Sequence, residues 1–226
     1  TSRLGRVNTG SVAQRLADAP GVARTILDAA RAARGMPGAD PRAMSHSWLF
    51  TGPPGSGRSL AAIDFAAALM CTNPEEPGCG RCEACRAVLE TKQHTDLVLV
   101  DPQEVIIPVD TVREVIGRAA SLPTVAPWRV VIFNNADRLN NNGANALLKT
   151  VEEPPARTVI IMCAPSDAPE DFSQTLRSRC RHLYIPSPSV ESITAQLVSE
   201  GASDHDAHLA ALTSLRHVGR ARRLVN

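Results

Sequence analysis

The sequence predicts an α/β fold: a five-stranded parallel sheet flanked by helices, followed by a small all-helical segment. Three observations carry this. Five short apolar runs, Trp48–Thr51, Leu97–Val100, Val130–Phe133, Val159–Cys163 and His182–Ile185, alternate with helical patterns. Strands joined through helices run parallel, with the sheet buried on both faces. A glycine-rich turn links the first run to a helix, and strand signals stop at Pro186-Ser187-Pro188, after which only helical patterns follow.

In chain order, residues 1–45 begin with a lead-in containing Gly, Asn and Ser. Apolar positions Val22, Ile26, Ala29 and Ala30 then mark one face of a helix. It stops near Arg34-Gly35, where Gly35, Pro37, Gly38 and Pro41 crowd together. Helices are predicted between the strands at Ser59–Met70, Asp110–Ala120, Ala144–Glu153 and roughly Glu170–Arg177. Ser189–Glu200, Asp204–Leu215 and Val218–Val225 form the helical end, the first with Ser189 as its cap. The boundary falls near Ser187, giving residues 1–186 as the core and 187–226 as a small helical domain.

Composition narrows the function classes. At 226 residues the chain holds one large domain or two small ones, at about 150 residues each. Hydrophobic residues at 43% with charged residues at 21% exclude a disordered chain. Aromatics are 3%, so the core is aliphatic and alanine-rich. Lys+Arg 24 against Asp+Glu 23 excludes a protein that grips nucleic acid through bulk charge, though not a local arginine patch. No run approaches the roughly 20 apolar residues of a membrane span, and no secretory signal is visible, so a cytoplasmic protein with no membrane partner is expected. The chain begins at Thr1 and ends after Arg222-Arg223-Leu224-Val225-Asn226, and is read as part of a longer protein.

Gly52-Pro53-Pro54-Gly55-Ser56-Gly57-Arg58-Ser59 has the spacing of a phosphate loop, with Gly52, Gly55, Gly57, Arg58 and Ser59 in its ligand positions. Its glycines let backbone N–H groups approach a phosphate at a helix N-terminus. Arg58 stands where such loops carry lysine, and a planar guanidinium is not a compact point charge. The strand Val130–Phe133 is followed by Asn134 and Asn135, where active loops place the acids that hold Mg²⁺ and activate water. An amide supplies neither charge nor a general base. Asp137 comes three residues too late. These three changes together predict a domain that does not hydrolyse nucleotide.

Cys71, Cys79, Cys82 and Cys85 form a C-x₇-C-x₂-C-x₂-C array with Gly78 and Gly80 at the turns. Four thiolates favour a closed, structural tetrahedral zinc site, with an iron–sulfur cluster as the rival. Cys163 is read as packing and Cys180 as a small filler.

Three further stretches carry a family resemblance: Asn145-Ala146-Leu147-Leu148-Lys149-Thr150-Val151-Glu152-Glu153-Pro154-Pro155, Ser178-Arg179-Cys180, and the cysteine insert directly after the phosphate-loop helix. With the loop itself they resemble the delta-prime subunits of bacterial DNA polymerase III clamp loaders, within the AAA+ superfamily, over about residues 46–186. The resemblance implies a P-loop AAA+ core with a zinc module at 71–85, a helical lid at 187–226, and a collar domain that this chain lacks. It decides for zinc over iron–sulfur.

The resemblance further implies a degenerate nucleotide site, with Arg222 at the sensor-2 position and ATP binding disfavoured. Arg179 becomes an arginine finger supplied in trans to a neighbour's ATP site. Arg177 is read as structural and Ser166, in the sensor-1 region, as a loop serine. Implied partners are the gamma/tau motor and delta subunits, with the sliding clamp and primed DNA engaged through the assembly. The rivals are an ATP-hydrolysing motor subunit or related AAA+ remodeller, and a zinc-dependent DNA-binding module.

Overall fold

Successive strand residues point to opposite faces, so a strand apolar at every position is buried on both. The computed structural model, which describes residues 10–102, 104–214 and 217–225, is built on that rule. A short helix α1 (Val12–Arg15) precedes α2 (Pro20–Ala33), β1 (Ser47–Thr51) and α3 (Arg58–Met70). Then come α4 (Glu83–Arg86), β2 (Leu97–Val100), α5 (Val109–Ala119), β3 (Arg129–Phe133) and α6 (Asn141–Glu152). The sheet closes with β4 (Thr158–Ala164), α7 (Gln174–Arg177) and β5 (Arg181–Tyr184), and α8 (Val190–Ser199), α9 (Asp204–Thr213) and α10 (Val218–Val225) follow.

The strand order is β2-β3-β4-β1-β5, every pair parallel. Residue parity sorts side chains into two cores. Trp48, Phe50, Val130, Ile132, Val159, Ile161 and Cys163 join α2, α3 and the cysteine segment on one face. Leu49, Val131, Phe133, Ile160 and Met162 join α5, α6 and α7 on the other. A third, separate cluster of Ile193, Leu197, Ala207, Ala210, Ala211 and Ala221 is built from α8, α9 and α10 alone.

Helix α3 is buried from Ala61 to Met70, wedged between the sheet, α2 and the cysteine segment. Its alanines fit that space, and its one buried carboxylate, Asp64, meets Arg15 Nε at 2.5 Å. Burial raises the Asp64 pKa and Arg15 only partly opposes it. On the edge strand side, Asp96 is fully buried before β2. It accepts N–H groups from Thr124, Val125 and Ala126 and pairs with Arg129 at 3.1 Å, fixing the loop that leads into β3.

Several boundaries differ from the sequence expectation. The last strand is Arg181–Tyr184 rather than His182–Ile185, and it is an exposed edge, not a doubly covered apolar strand. Ile185 is buried just beyond it and still donates its N–H to the Thr51 carbonyl at 2.7 Å. Helix α7 begins at Gln174 rather than near Glu170, because residues 165–173 close into turns, with Asp171 and Phe172 N–H groups on the Ala168 carbonyl. Helix α6 starts earlier than Ala144, at Asn141, because the Asn140 side chain caps it by accepting from the Gly143 N–H. The four-residue α1, closed by a Ser11/Gln14 capping box, was not expected. Ser189 caps α8, accepting from the Ser192 N–H at 3.1 Å. The lead-in 1–9 and Leu215, the expected end of α9, lie outside the described residues.

Candidate functional site

The glycine loop joins the C-terminal end of β1 to α3. Gly55 and Gly57 both have φ +87°, a left-handed conformation that side chains disfavour. Gly52 is forced for a different reason: a Cβ there would lie 2.4 Å from the Ile185 carbonyl and 2.5 Å from Ser56 Oγ. Gly57 also ends the loop as the N-cap of α3, with no side-chain hydrogen bond to the first-turn N–H groups. The loop faces a cleft of about 430 Å³ lined also by Asn135, His217 and Arg222. The predicted residues Gly55, Gly57, Arg58, Ser59 and Arg222 therefore converge, whereas Gly52 does not line the cleft.

The cleft's chemistry departs from that of an ATP-hydrolysing loop. Arg58 Nη1 donates to the carbonyl of Gly52 at 2.7 Å, so the guanidinium is turned onto its own loop. Asn134 is buried, and its side-chain oxygen makes no hydrogen bond among the described residues. Asn135 holds φ +51°, which asparagine tolerates better than most residues. Asp137 is exposed on the following turn and does not line the cleft. Arg222 lines the cleft while its guanidinium grips Glu200, with Nη2 to Oε1 at 2.5 Å and Nε to Oε2 at 2.9 Å. That bond raises the arginine's pKa further. Among the described residues, no carboxylate lines the cleft.

Arg179 sits elsewhere. In the parallel sheet, the loop follows Thr51 at the C-terminal edge, whereas Arg179 precedes Arg181, which pairs with Trp48 near the start of β1. Arg179 thus lies beyond the N-terminal edge, on the far side of the sheet from the cleft of its own chain. It is partly exposed, with Nε on Glu152 Oε1 at 2.5 Å and Nη1 on the Thr175 carbonyl and Ser178 Oγ at 2.9 and 3.1 Å. Arg177 is structural, as expected: its Nε and Nη2 both meet Asp167 Oδ2, at 3.0 and 2.8 Å, and this bond lowers the Asp167 pKa. Ser166 bridges its own loop, donating to Asp171 at 2.6 Å and accepting from the Ala168 N–H. Cys163 and Cys180 are free thiols whose burial pushes each to about 12.

The four cysteines do come together: their sulfurs lie within 4.8 Å of one another, and the cluster could hold a metal ion. Gly78 and Gly80, both at φ +72°, make the turns. Backbone N–H groups of Cys82 and Cys85 point at the sulfurs of Cys79 and Cys82, each at 3.4 Å, a polarity that favours thiolates. The thiol of Cys85 hydrogen-bonds Cys71 and holds the latter down to about 4, while Cys85 itself is pushed up. In Cys82, burial raises the pKa but donors from Cys85 and Thr72 outweigh it.

Sequence reading missed Glu152, Glu200 and His217. Glu152 had one signal, an acid in the last turn of a helix where the macrodipole disfavours it. His217 had none, since it meets Gly55 only through tertiary packing.

The family model described as DNA polymerase III, delta subunit, matches residues 39–189. The chain belongs to this family. Among its relatives are the DNA polymerase III subunits delta′ of Pseudomonas aeruginosa, 35% identical over 70% of this chain and 49% of the relative, and of Escherichia coli, 34% identical over 74% and 50%. The gamma/tau subunit of Mycobacterium tuberculosis is 33% identical over 71% of this chain and 28% of its own length. The chain thus spans about half the length of the delta′ relatives.

Two solved structures show the same fold. A DNA polymerase III gamma subunit-related protein from Thermotoga maritima has TM-score 0.57 at 21% identity, over 79% of this chain and 53% of that one. The RuvB Holliday junction branch migration motor of the same organism has TM-score 0.58 at 16% identity, over 92% and 60%. This DNA polymerase III family member shares their fold, a parallel α/β sheet with a glycine loop after its first strand and a helical end.

Proposed function

We propose that the chain is the AAA+ portion of a non-hydrolysing, delta′-type clamp-loader subunit that supplies Arg179 in trans to a neighbour's ATP site. The carrying observation is the polarity of the molecule: no carboxylate lines the cleft at one edge of the sheet among the described residues, and the exposed arginine lies at the opposite edge. Arg179 is thereby unable to reach its own cleft but free to meet another subunit. There it would stabilise charge on the transferring phosphoryl group. The cleft of Gly55, Gly57, Arg58, Ser59 and Arg222 is then a degenerate nucleotide site without Mg²⁺ chemistry, set between a core ending at residue 186 and a helical lid from 187. Neighbouring gamma/tau and delta subunits, a sliding clamp and primed DNA in the cytoplasm complete this reading.

Zinc is the metal we assign to Cys71, Cys79, Cys82 and Cys85. Zn–S bonds of about 2.3 Å in a tetrahedron need sulfurs about 3.8 Å apart, compatible with the observed cluster. Zinc there would cross-link the module and supply no chemistry. One zinc per chain by elemental analysis is the expected result; a brown iron chromophore would refute it.

The test of the trans role is Arg179→Ala in the full-length subunit, assembled with its gamma/tau and delta partners. DNA-stimulated ATP hydrolysis should fall by about 10³-fold. Unchanged turnover would remove the role. A second reading, an ATP-hydrolysing motor, draws on the similarity to gamma/tau relatives. It requires robust ATP-Mg²⁺ turnover by the isolated chain.

A further inference from the structure

Resting on the trans role of Arg179, we infer that Glu152 is the residue that positions this arginine. The two lie 27 positions apart, yet Glu152 Oε1 accepts from Arg179 Nε at 2.5 Å. Glu152 closes α6 in its last turn, where a carboxylate faces the negative end of the helix dipole and is locally unfavourable. Its placement therefore has a tertiary reason, and Arg179 is the cation it meets. Backbone geometry fixes where α6 ends: Glu153 leaves the helix at φ −125°, ψ 70°, and prolines 154 and 155 follow, which bar helical continuation.

The guanidinium is fixed from a second side. Arg179 Nη1 bonds the Thr175 carbonyl and Ser178 Oγ, both from α7 and its cap. Nε and Nη1 are thus held by the arginine's own chain, whereas Nη2 makes no hydrogen bond among the described residues, so its two N–H groups are the donors left for a phosphate. A long side chain that would otherwise sample many rotamers is held by these three bonds, and this lowers the entropy cost of engaging a phosphate. The two stretches that carry the family resemblance, the 145–155 segment and Ser178-Arg179-Cys180, therefore meet in one ion pair.

Glu152→Ala and Glu152→Gln are made in the full-length subunit, in the assembled complex, beside Arg179→Ala and the double variant Glu152→Ala/Arg179→Ala. Glu152→Ala should lower kcat for DNA-stimulated ATP hydrolysis by about tenfold with KM for ATP unchanged. Glu152→Gln keeps an acceptor and should recover most of that loss. The double variant should be no slower than Arg179→Ala alone, because Glu152 acts only through the arginine. If Arg179→Ala slows turnover but Glu152→Ala leaves it unchanged or speeds it, the positioning role is overturned while the trans reading stands. If Arg179→Ala itself has no effect, the trans reading fails, and this inference with it. Size-exclusion chromatography of Glu152→Gln verifies assembly, so a fold defect in the alanine variant does not decide the matter.

Discussion

Asp96 illustrates how much one buried carboxylate can hold. Burial alone would raise its pKa, but three backbone N–H groups and the Arg129 guanidinium outweigh that and hold it at about 2. An acid whose folded pKa lies below its unfolded value stabilises the fold above the unfolded pKa, and the contribution disappears as pH falls from about 4 to 2. That contribution is roughly 2 kcal/mol. Asp96→Asn should therefore lose about this much in denaturant unfolding at pH 7, and the difference from the unchanged chain should vanish between pH 4 and 2. A difference independent of pH would refute the account. At the same scale, Arg58→Lys alone should not create ATPase activity in the isolated chain, because Asn134 and Asn135 still offer neither Mg²⁺ charge nor a base. A coupled-enzyme assay measures this directly.

Among the elements, the cysteine segment and α3 depend on each other. Cys85 Sγ rests on the Ala67 carbonyl at 3.6 Å, and four sulfurs gathered beside a buried alanine helix fix a segment that is otherwise mostly turns. With the proposed zinc bound, its removal by a chelator, or replacement of Cys82 by Ser, should lower the melting temperature and expose α3, read as increased amide exchange across residues 61–70. Unchanged exchange would mean that the module does not brace the helix. Gly80→Ala should destabilise by about 2 kcal/mol or more, since φ is +72° and a Cβ would stand 1.9 Å from the Gly10 carbonyl. Urea unfolding with and without added zinc separates this backbone clash from any effect on the proposed zinc site.

Across the whole molecule, the parallel sheet places its two ends far apart in function. Loops after the strands build the cleft, and the segments before β4 and β5 build the Glu152–Arg179 pair. One chain therefore presents a glycine-loop edge and an arginine edge, the polarity on which the proposed trans role rests. An isolated chain of this kind should bind ATP-Mg²⁺ weakly and turn it over at background rate in calorimetry and steady-state assays. Measurable turnover by the purified chain would overturn that.

Fold class, the order of strands and helices, the glycine loop and the cysteine array were legible in the sequence because each is set by local rules. Those rules are period-two or helical apolarity, glycine at left-handed turns, and the close spacing of C-x₂-C. Local rules did not reach the boundaries of α6 and α7, the exposure of β5, or α1, where capping and turn hydrogen bonds compete with periodicity. Nor did they reach the pairs Glu152–Arg179, Glu200–Arg222, Asp96–Arg129 and Gly55–His217. Each joins residues more than twenty positions apart, and only the packing of α6 on α7, of α8 beside α10, of β2 along β3, and of the helical end against the loop brings them together. The sequence alone determined which residue types were present for chemistry. Tertiary structure decided which of them could touch, and that Arg179 and the cleft stand at opposite edges of one sheet.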